Sequence, residues 1–169
     1  MWHFISDHIS EQTNQTFICQ RTSAVSGGDT HSAYIIQGDA KRYFVKLREA
    51  TGPEQLVHEA QGLSAIARTH TVRTPAVICH GIAHNDDTSY EYLVLQHLHF
   101  TQPEDIGWKT FAQNLAALHQ TEQSAAFGWS KDNFIGLTPQ VNQQDSCWAT
   151  FFARNRIFSK ILTHLFPDF

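Results

Sequence analysis

Cysteine is scarce in this chain and set far apart. Cys19, Cys79 and Cys147 are three in number, which leaves one over from any pairing. A disulfide framework is therefore not expected, and reduced thiols in a cytoplasmic protein are. Charge of one sign is never gathered into a long run, and the net charge is only −4. That argues against a nucleic-acid partner, which calls for clustered Lys and Arg. No apolar stretch is long enough to span a bilayer, and the start, Met1-Trp2-His3-Phe4-Ile5-Ser6-Asp7, lacks the basic-then-apolar order of a signal peptide. Internal repeats and low-complexity segments are missing too. What remains is ordinary globular material: 169 residues, 41% of them hydrophobic, with a mean hydropathy of −0.32. A chain of this length buries roughly 70% of its unfolded surface and needs no covalent staple.

The hydrophobic periodicity predicts the order of elements. Phe4, Ile5 and Ile9 mark a short amphipathic helix. Phe17 to Val25 and Ala33 to Ile36 read as hairpin partners across Ser26-Gly27-Gly28-Asp29, and Tyr43 to Leu47 as a third strand after a turn at residues 38–41. Pro53 fits the first turn of a helix, in which Leu56, Ala60, Leu63, Ile66 and Ala67 recur at helical spacing. An extended segment, Ala76 to Cys79, a turn at Asn85-Asp86-Asp87 and a strand from Tyr90 to Leu98 follow. Helix, three strands, helix and two strands, without βαβ alternation, imply an antiparallel sheet with a helix packed on it. The character changes after Leu98. Pro103 opens a helix striped by Ile106, Phe111, Leu115 and Leu118; Ser124 to Gln144 reads as a long loop; and a last helix, capped by Asp145 or Ser146, runs from Trp148 to about Leu165, with Pro167 closing it off.

One carboxylate is awkward. Glu59 lies three residues after Leu56 and four before Leu63, so it points where they point. A charge facing a core is costly unless a cation meets it. Lys46 is the nearest candidate, on a strand expected to lie under that helix with Phe44 on its face and Tyr43 and Val45 on the other. A Lys–Glu pair of this kind positions an ammonium over the α- and β-phosphates of ATP. The alternative is that Glu59 sits at the edge of the stripe and reaches solvent. Gly27-Gly28 is equally two-sided: a primed hairpin turn, or a turn whose backbone approaches a phosphate closely. It is neither a Walker motif nor a six-residue glycine loop.

Other residues carry less. Eleven histidines invite a metal, with His80 and His84 or His97 and His99 as possible pairs. No helical His-x-x-x-His with an adjacent acid accompanies them, and no metal site is expected. The run Phe127 to Gly136 holds Trp129, Asp132 and Asn133 in the long loop. It reads either as a self-packed loop or as a substrate-facing one. Pro167-Asp168-Phe169 lacks the glycine of a metal-binding Asp-Phe-Gly element and carries no weight.

Taken in order, these runs resemble the fructosamine kinase (ketosamine-3-kinase) family, relatives of aminoglycoside and choline kinases with a protein-kinase-like fold. The matching runs are Ser26-Gly27-Gly28-Asp29, Tyr43-Phe44-Val45-Lys46, His58-Glu59-Ala60-Gln61-Gly62-Leu63, Tyr92-Leu93-Val94-Leu95 and Leu115-Ala116-Ala117-Leu118-His119. Phe127-Gly128-Trp129, Asp132-Asn133-Phe134-Ile135-Gly136, Thr138-Pro139-Gln140, and Trp148 with Phe151, Phe152 and Arg156 complete the set. The loop from Phe127 to Gln140 is the most specific of them.

The resemblance implies an α+β fold: an antiparallel-sheet N-lobe with a packed helix over residues 1–97, then a hinge and the first, incomplete part of a helical C-lobe over residues 98–169. It implies that Lys46 contacts ATP phosphates, that Glu59 holds Lys46, and that Gly27, Gly28 and Asp29 cover the phosphates. Leu95, Gln96, His97 and Leu98 would be the hinge receiving adenine. Trp129, Asp132 and Asn133 would belong to a substrate loop. The family phosphorylates a sugar hydroxyl on fructosamine or ribulosamine adducts of amines, protein lysines included, with ATP and Mg2+, which reverses early glycation. Members continue into a His-Gly-Asp catalytic segment, a downstream Asn and a metal-binding Asp. None of these is in this sequence, so neither catalytic base nor magnesium ligands are expected here, and the 169-residue chain is expected to be inactive alone. A non-catalytic ATP-binding or interaction module, and a non-functional remnant of a kinase gene, are the competing expectations.

Overall fold

The computed structural model describes residues 1–26, 31–102, 104–121 and 126–158. They form two compact units, Met1–Thr121 and Glu122–Phe169. The Gly27-Gly28-Asp29 turn, Pro103 and the segment with Pro167 lie outside the described residues.

The first unit opens with helix α1 (Trp2–Thr13), which ends on Asn14 in the left-handed conformation, φ 51°. Five strands follow in an antiparallel sheet of order β1-β2-β3-β5-β4. They are β1 (Arg21–Val25), β2 (Ser32–Gln37), β3 (Arg42–Glu49), β4 (Val77–Asn85) and β5 (Thr88–Gln96), and helix α2 (Leu56–Arg68) intervenes between β3 and β4. The order of elements is the one the periodicity predicts. Several boundaries differ: β4 runs on past Cys79 to Asn85, and β5 spans Thr88–Gln96 and stops short of Leu98. Phe17 is buried but precedes β1, and Pro53 lies ahead of α2, which starts three residues later.

The two faces of the sheet bury different sets, as the period of two requires. On one face Tyr43, Val45 and Leu47 of β3 join Ile36, Cys79, Ala83, Tyr92 and Val94 beneath Ile5 and Ile9 of α1. Burial pushes the Cys79 thiol and the Tyr92 phenol up to about 12. The Tyr92 hydroxyl still meets His8 Nδ1 at 2.6 Å. On the other face Leu93 and Leu95 of β5 pack with Leu56 and Ala60 of α2, flanked by Phe44, Leu63 and Val77. Leu56 and Leu93 are fully buried, worth about 1.5–3 kcal/mol each, which seats α2 on the sheet. Helix α3 (Asp105–His119) closes the unit and buries none of its side chains; its stripe of Ile106, Phe111 and Leu115 is exposed.

The second unit holds a hairpin where its composition suggests a plain loop, and its last helix is followed as far as Phe158, the expected stretch from there to Leu165 lying outside the described residues. Three-residue strands β6 (Asn133–Ile135) and β7 (Thr138–Gln140) form a hairpin, turning at Gly136 with φ 59°. Phe127 and Asp145 exchange two backbone hydrogen bonds of 2.8 and 3.0 Å, which tie off the base of the loop. Helix α4 (Trp148–Phe152) continues into a wider helical turn, Ala153–Phe158. Cys147 is its N-cap, and the expected cap Asp145 instead accepts the Cys147 N–H at 2.8 Å. Trp148 rests against Phe127, Phe151 and Phe152.

Candidate functional site

The site is built on the α2 face of the sheet. Alternation along β3 sends Phe44, Lys46 and Arg48 to that face. The register sets them opposite Leu95, Leu93 and Glu91 of β5. Three consecutive rungs thus carry an apolar pair, a lysine and an ion pair, spaced by roughly 6.6 Å per rung.

On the middle rung, Lys46 Nζ donates to Glu59 Oε2 of α2 at 2.6 Å. The side chains are 24% and 35% exposed. A pair this open to solvent contributes roughly 0–1 kcal/mol to stability, so folding alone gives little reason for it. What the contact does is hold an ammonium at a fixed point beside solvent. His31, just before β2, lies in the field of this pair. Burial first, then the Lys46 ammonium, lower its pKa, while Glu59 opposes them.

On the first rung, Phe44 and Leu95 face an open cavity of about 540 Å³. Val25 and Ile35 line it from β1 and β2, Gln96, His97 and Leu98 from the end of β5, and Arg73, Pro75 and Phe100 from neighbouring segments. The lining is almost wholly apolar. Sheet pairing stops at Tyr43 opposite Gln96, so the backbone of His97 and Leu98 lies past the last rung. Apolar walls beside the backbone of a strand end suit a flat heteroaromatic ring that needs two or three hydrogen bonds at one edge. The His97 imidazole meets His99 edge-on at 4.9 Å between centroids, and burial, His99 and Arg42 lower its pKa.

On the third rung, Arg48 Nη1 donates to Glu91 Oε2 at 3.1 Å, with side-chain exposures of 12% and 5%. Breaking a pair this buried costs about 3–5 kcal/mol. The same guanidinium nitrogen donates to the Pro53 carbonyl at 3.0 Å, and Glu91 Oε1 accepts the N–H of Leu56, the first residue of α2. The helix therefore begins where a buried carboxylate takes its first donor, which is why it starts at Leu56 and not at Pro53.

The sequence reading missed Glu91 and Arg48. The available signal was a lone glutamate between Tyr90 and Tyr92 in an otherwise apolar strand, and an arginine two residues beyond Lys46. It also missed Val25, Ile35 and Phe44 as walls of the cavity. Of the residues it proposed, Lys46 and Glu59 meet, and Leu95, Gln96, His97 and Leu98 line one cavity on the adjoining rung. Gly27, Gly28 and Asp29 lie outside the described residues.

Trp129, Asp132 and Asn133 belong to the second unit. There Asn142 is buried and works as a hub. Its N–H reaches Asp132 Oδ1 at 2.7 Å, and its amide donates to the Lys131 carbonyl at 2.9 Å and to Asn133 Oδ1 at 2.8 Å. Arg156 donates to Asn142 Oδ1 at 2.6 Å and to the Val141 carbonyl at 2.7 Å, and lies over the Phe151 ring at 4.8 Å. One oxygen each of Asp132 and Asn133 is thus committed to shaping the loop, and Trp129 is half-buried. Among the described residues no group of three or more His, Cys, Asp or Glu side chains gathers to hold a metal ion. No described helix is long and apolar enough to cross a membrane.

Comparison with known proteins bears on both units. The family profile described as fructosamine kinase matches residues 1–164. A protein of Synechocystis sp. named a probable ketoamine kinase is 43% identical over 156 residues, 92% of this chain and 52% of that relative. One of Vibrio cholerae, of the same name, is 33% identical over 159 residues, 93% of this chain and 54% of its own length. A crystal structure from Haemophilus somnus 129PT, provisionally named a fructosamine-3-kinase, superimposes with a TM-score of 0.84 at 26% identity, covering 98% of this chain and 56% of its own. The chain spans about half the length of the curated relatives it matches.

Proposed function

This chain belongs to the fructosamine kinase family, and from that premise we propose that residues 1–97 form its nucleotide lobe and bind ATP on the α2 face of the sheet. The observation that carries the reading is the 2.6 Å Lys46–Glu59 contact one rung from an apolar cavity of about 540 Å³. Adenine enters the cavity between Ile35, Phe44 and Leu95, with its polar edge toward the backbone of Gln96, His97 and Leu98. The phosphates then extend along the face toward Lys46, which Glu59 holds in position, and the Gly27-Gly28-Asp29 turn covers them.

The reaction this lobe serves is transfer of the γ-phosphoryl group to a sugar hydroxyl of a ketosamine, a glycated amine or protein lysine, in a cytoplasmic deglycation step. Residues 98–169 supply the hinge and the start of the substrate lobe, with Trp129, Asp132 and Asn133 on its loop. Mg2+ accompanies ATP in such a reaction. No His-Gly-Asp run stands among these 169 residues to supply its ligands or the catalytic base. The 169-residue chain alone therefore binds nucleotide without turning it over.

Calorimetric titration with ATP tests this. The chain binds, and Lys46→Ala weakens binding by about tenfold or more through loss of a charge-assisted contact. Unchanged affinity in Lys46→Ala would show that Lys46 does not hold the phosphates. Phosphorylation of a fructoselysine-type amine by the purified chain would overturn the claim that it is inactive alone.

A further inference from the structure

We propose that Glu91, together with Arg48, is a positioning residue for the Lys46–Glu59 pair, acting through the start of helix α2. The proposal rests on the nucleotide reading of that pair for its functional meaning, though not for its geometry.

Glu91 is an unusual residue for a central strand. It stands among Tyr90, Tyr92, Leu93 and Val94, and its side chain is 5% exposed. A carboxylate in that setting persists only if its charge is met. Two groups meet it from different elements: the Arg48 guanidinium across the β3–β5 ladder, and the Leu56 N–H at the positive end of α2. Arg48 reaches one step further and holds the Pro53 carbonyl on the chain leading into the helix. The helix start is thus tied to the sheet from both sides of one ion pair.

The spacing makes this clamp bear on Lys46. Glu59 is three residues after Leu56, about 4.5 Å along the helix axis. Lys46 is two residues before Arg48, roughly 6.6 Å along the strand. The clamp and the Lys46–Glu59 contact are therefore successive ties between the same helix and the same strands. Leu56 and Ala60 pack on Leu93 between them, an apolar contact that resists separation but tolerates sliding. Hydrogen bonds are directional, so the Glu91 carboxylate is what fixes the helix along the strand and sets where Glu59 stands.

The test uses the full chain with Glu91→Gln, which keeps an acceptor for Leu56 but removes the charge that Arg48 meets. Two measurements are made at a temperature where the variant is folded. The first is the rate at which an amine-acylating reagent modifies Lys46, read by mass spectrometry with Lys131 as internal reference. The second is ATP affinity in Glu91→Gln, in Lys46→Ala and in the double variant. The expected result is a several-fold rise in Lys46 acylation with Lys131 unchanged, and about tenfold weaker ATP binding that is absent in the Lys46→Ala background.

Equal acylation of Lys46 in both proteins overturns the proposal. So does an ATP loss that is the same in both backgrounds, which marks Glu91 as merely structural. If the unmodified chain does not bind ATP, the nucleotide reading falls, while the acylation rates still decide the positioning role. If Glu91→Gln does not fold, Arg48→Lys, which keeps the charge and loses the planar fork, is read by the same two measurements.

Discussion

The two units of this chain solve the problem of holding a shape with different materials. Met1–Thr121 rests on a five-stranded sheet with apolar layers on both faces. Glu122–Phe169 contributes, among the described residues, one buried hydrophobic side chain, Phe151, and relies on the hydrogen bonds that radiate from Asn142. The first is a stiff platform on which charged groups can be set at chosen places. The second is a folded loop whose outline depends on a few polar atoms. A site that must fix an ammonium within a fraction of an ångström belongs on the first kind of structure.

The largest expected effect breaks the platform. Leu93 is fully buried beneath α2 and opposite Lys46 in the ladder. Leu93→Ala is expected to destabilise the first unit by about 2–5 kcal/mol, the range for opening a cavity in a packed core. Urea unfolding gives the size. Hydrogen exchange gives the place: protection falls across β3, β5 and α2 and is kept in residues 126–158. A uniform loss would show that the two units unfold as one body.

Part of this architecture can be read from the chain alone, and the reason is periodicity. The alternation Tyr43-Phe44-Val45-Lys46-Leu47 sorts β3 into two faces, and Leu56, Ala60 and Leu63 give α2 a side, so Lys46 emerges as the nearest candidate partner of Glu59, while the choice between that partner and solvent is made only by the fold. Glu91 resists the same reading because its partner Arg48 is 43 residues away, and only the β3–β5 register joins them. The β6–β7 hairpin is hidden for a different reason. Three residues per strand are too few for a period, and Pro139 within β7 argues against a strand on sequence grounds. The cavity is hidden because Val25, Ile35 and Phe44 look like any other strand residues; only the pairing of β1, β2 and β3 brings them together.

Smaller effects sharpen the contrast from the second unit. Asn142→Leu strands Asn133, the Lys131 carbonyl and part of Arg156, and is expected to cost about 3 kcal/mol there. Gly128 comes next. Its φ of 125° suits only glycine, and a Cβ would lie 3.0 Å from the Asn142 carbonyl oxygen and from Phe151 Cε2. Gly128→Ala is expected to cost about 2 kcal/mol. Gly136, at φ 59° with open space around it, is the control: Gly136→Ala is expected to cost about 1 kcal/mol. Exchange protection in α2 should be untouched by all three. A loss there would mean that the loop supports the platform after all.

The smallest effect is a pH slope that belongs to the first unit. Burial and the Lys46 and Arg48 cations hold the His31 pKa below its ordinary 6.5, against the opposing pull of Glu59 and Glu91. The unfolded chain then takes up a proton near pH 6.5 that the folded chain refuses. Stability from this residue is whole above pH 6.5 and is lost as pH falls from there to the folded value, below which the loss levels off. His97, lowered by burial, His99 and Arg42, adds a slope of the same sign. Melting curves between pH 7.5 and 5 should therefore drift downward with acidification, and the drift should shrink in His31→Asn and again in His31→Asn with His97→Asn. If the drift is unchanged in the double variant, the pH dependence of the platform has another source, and the charged face around Lys46 does not carry it.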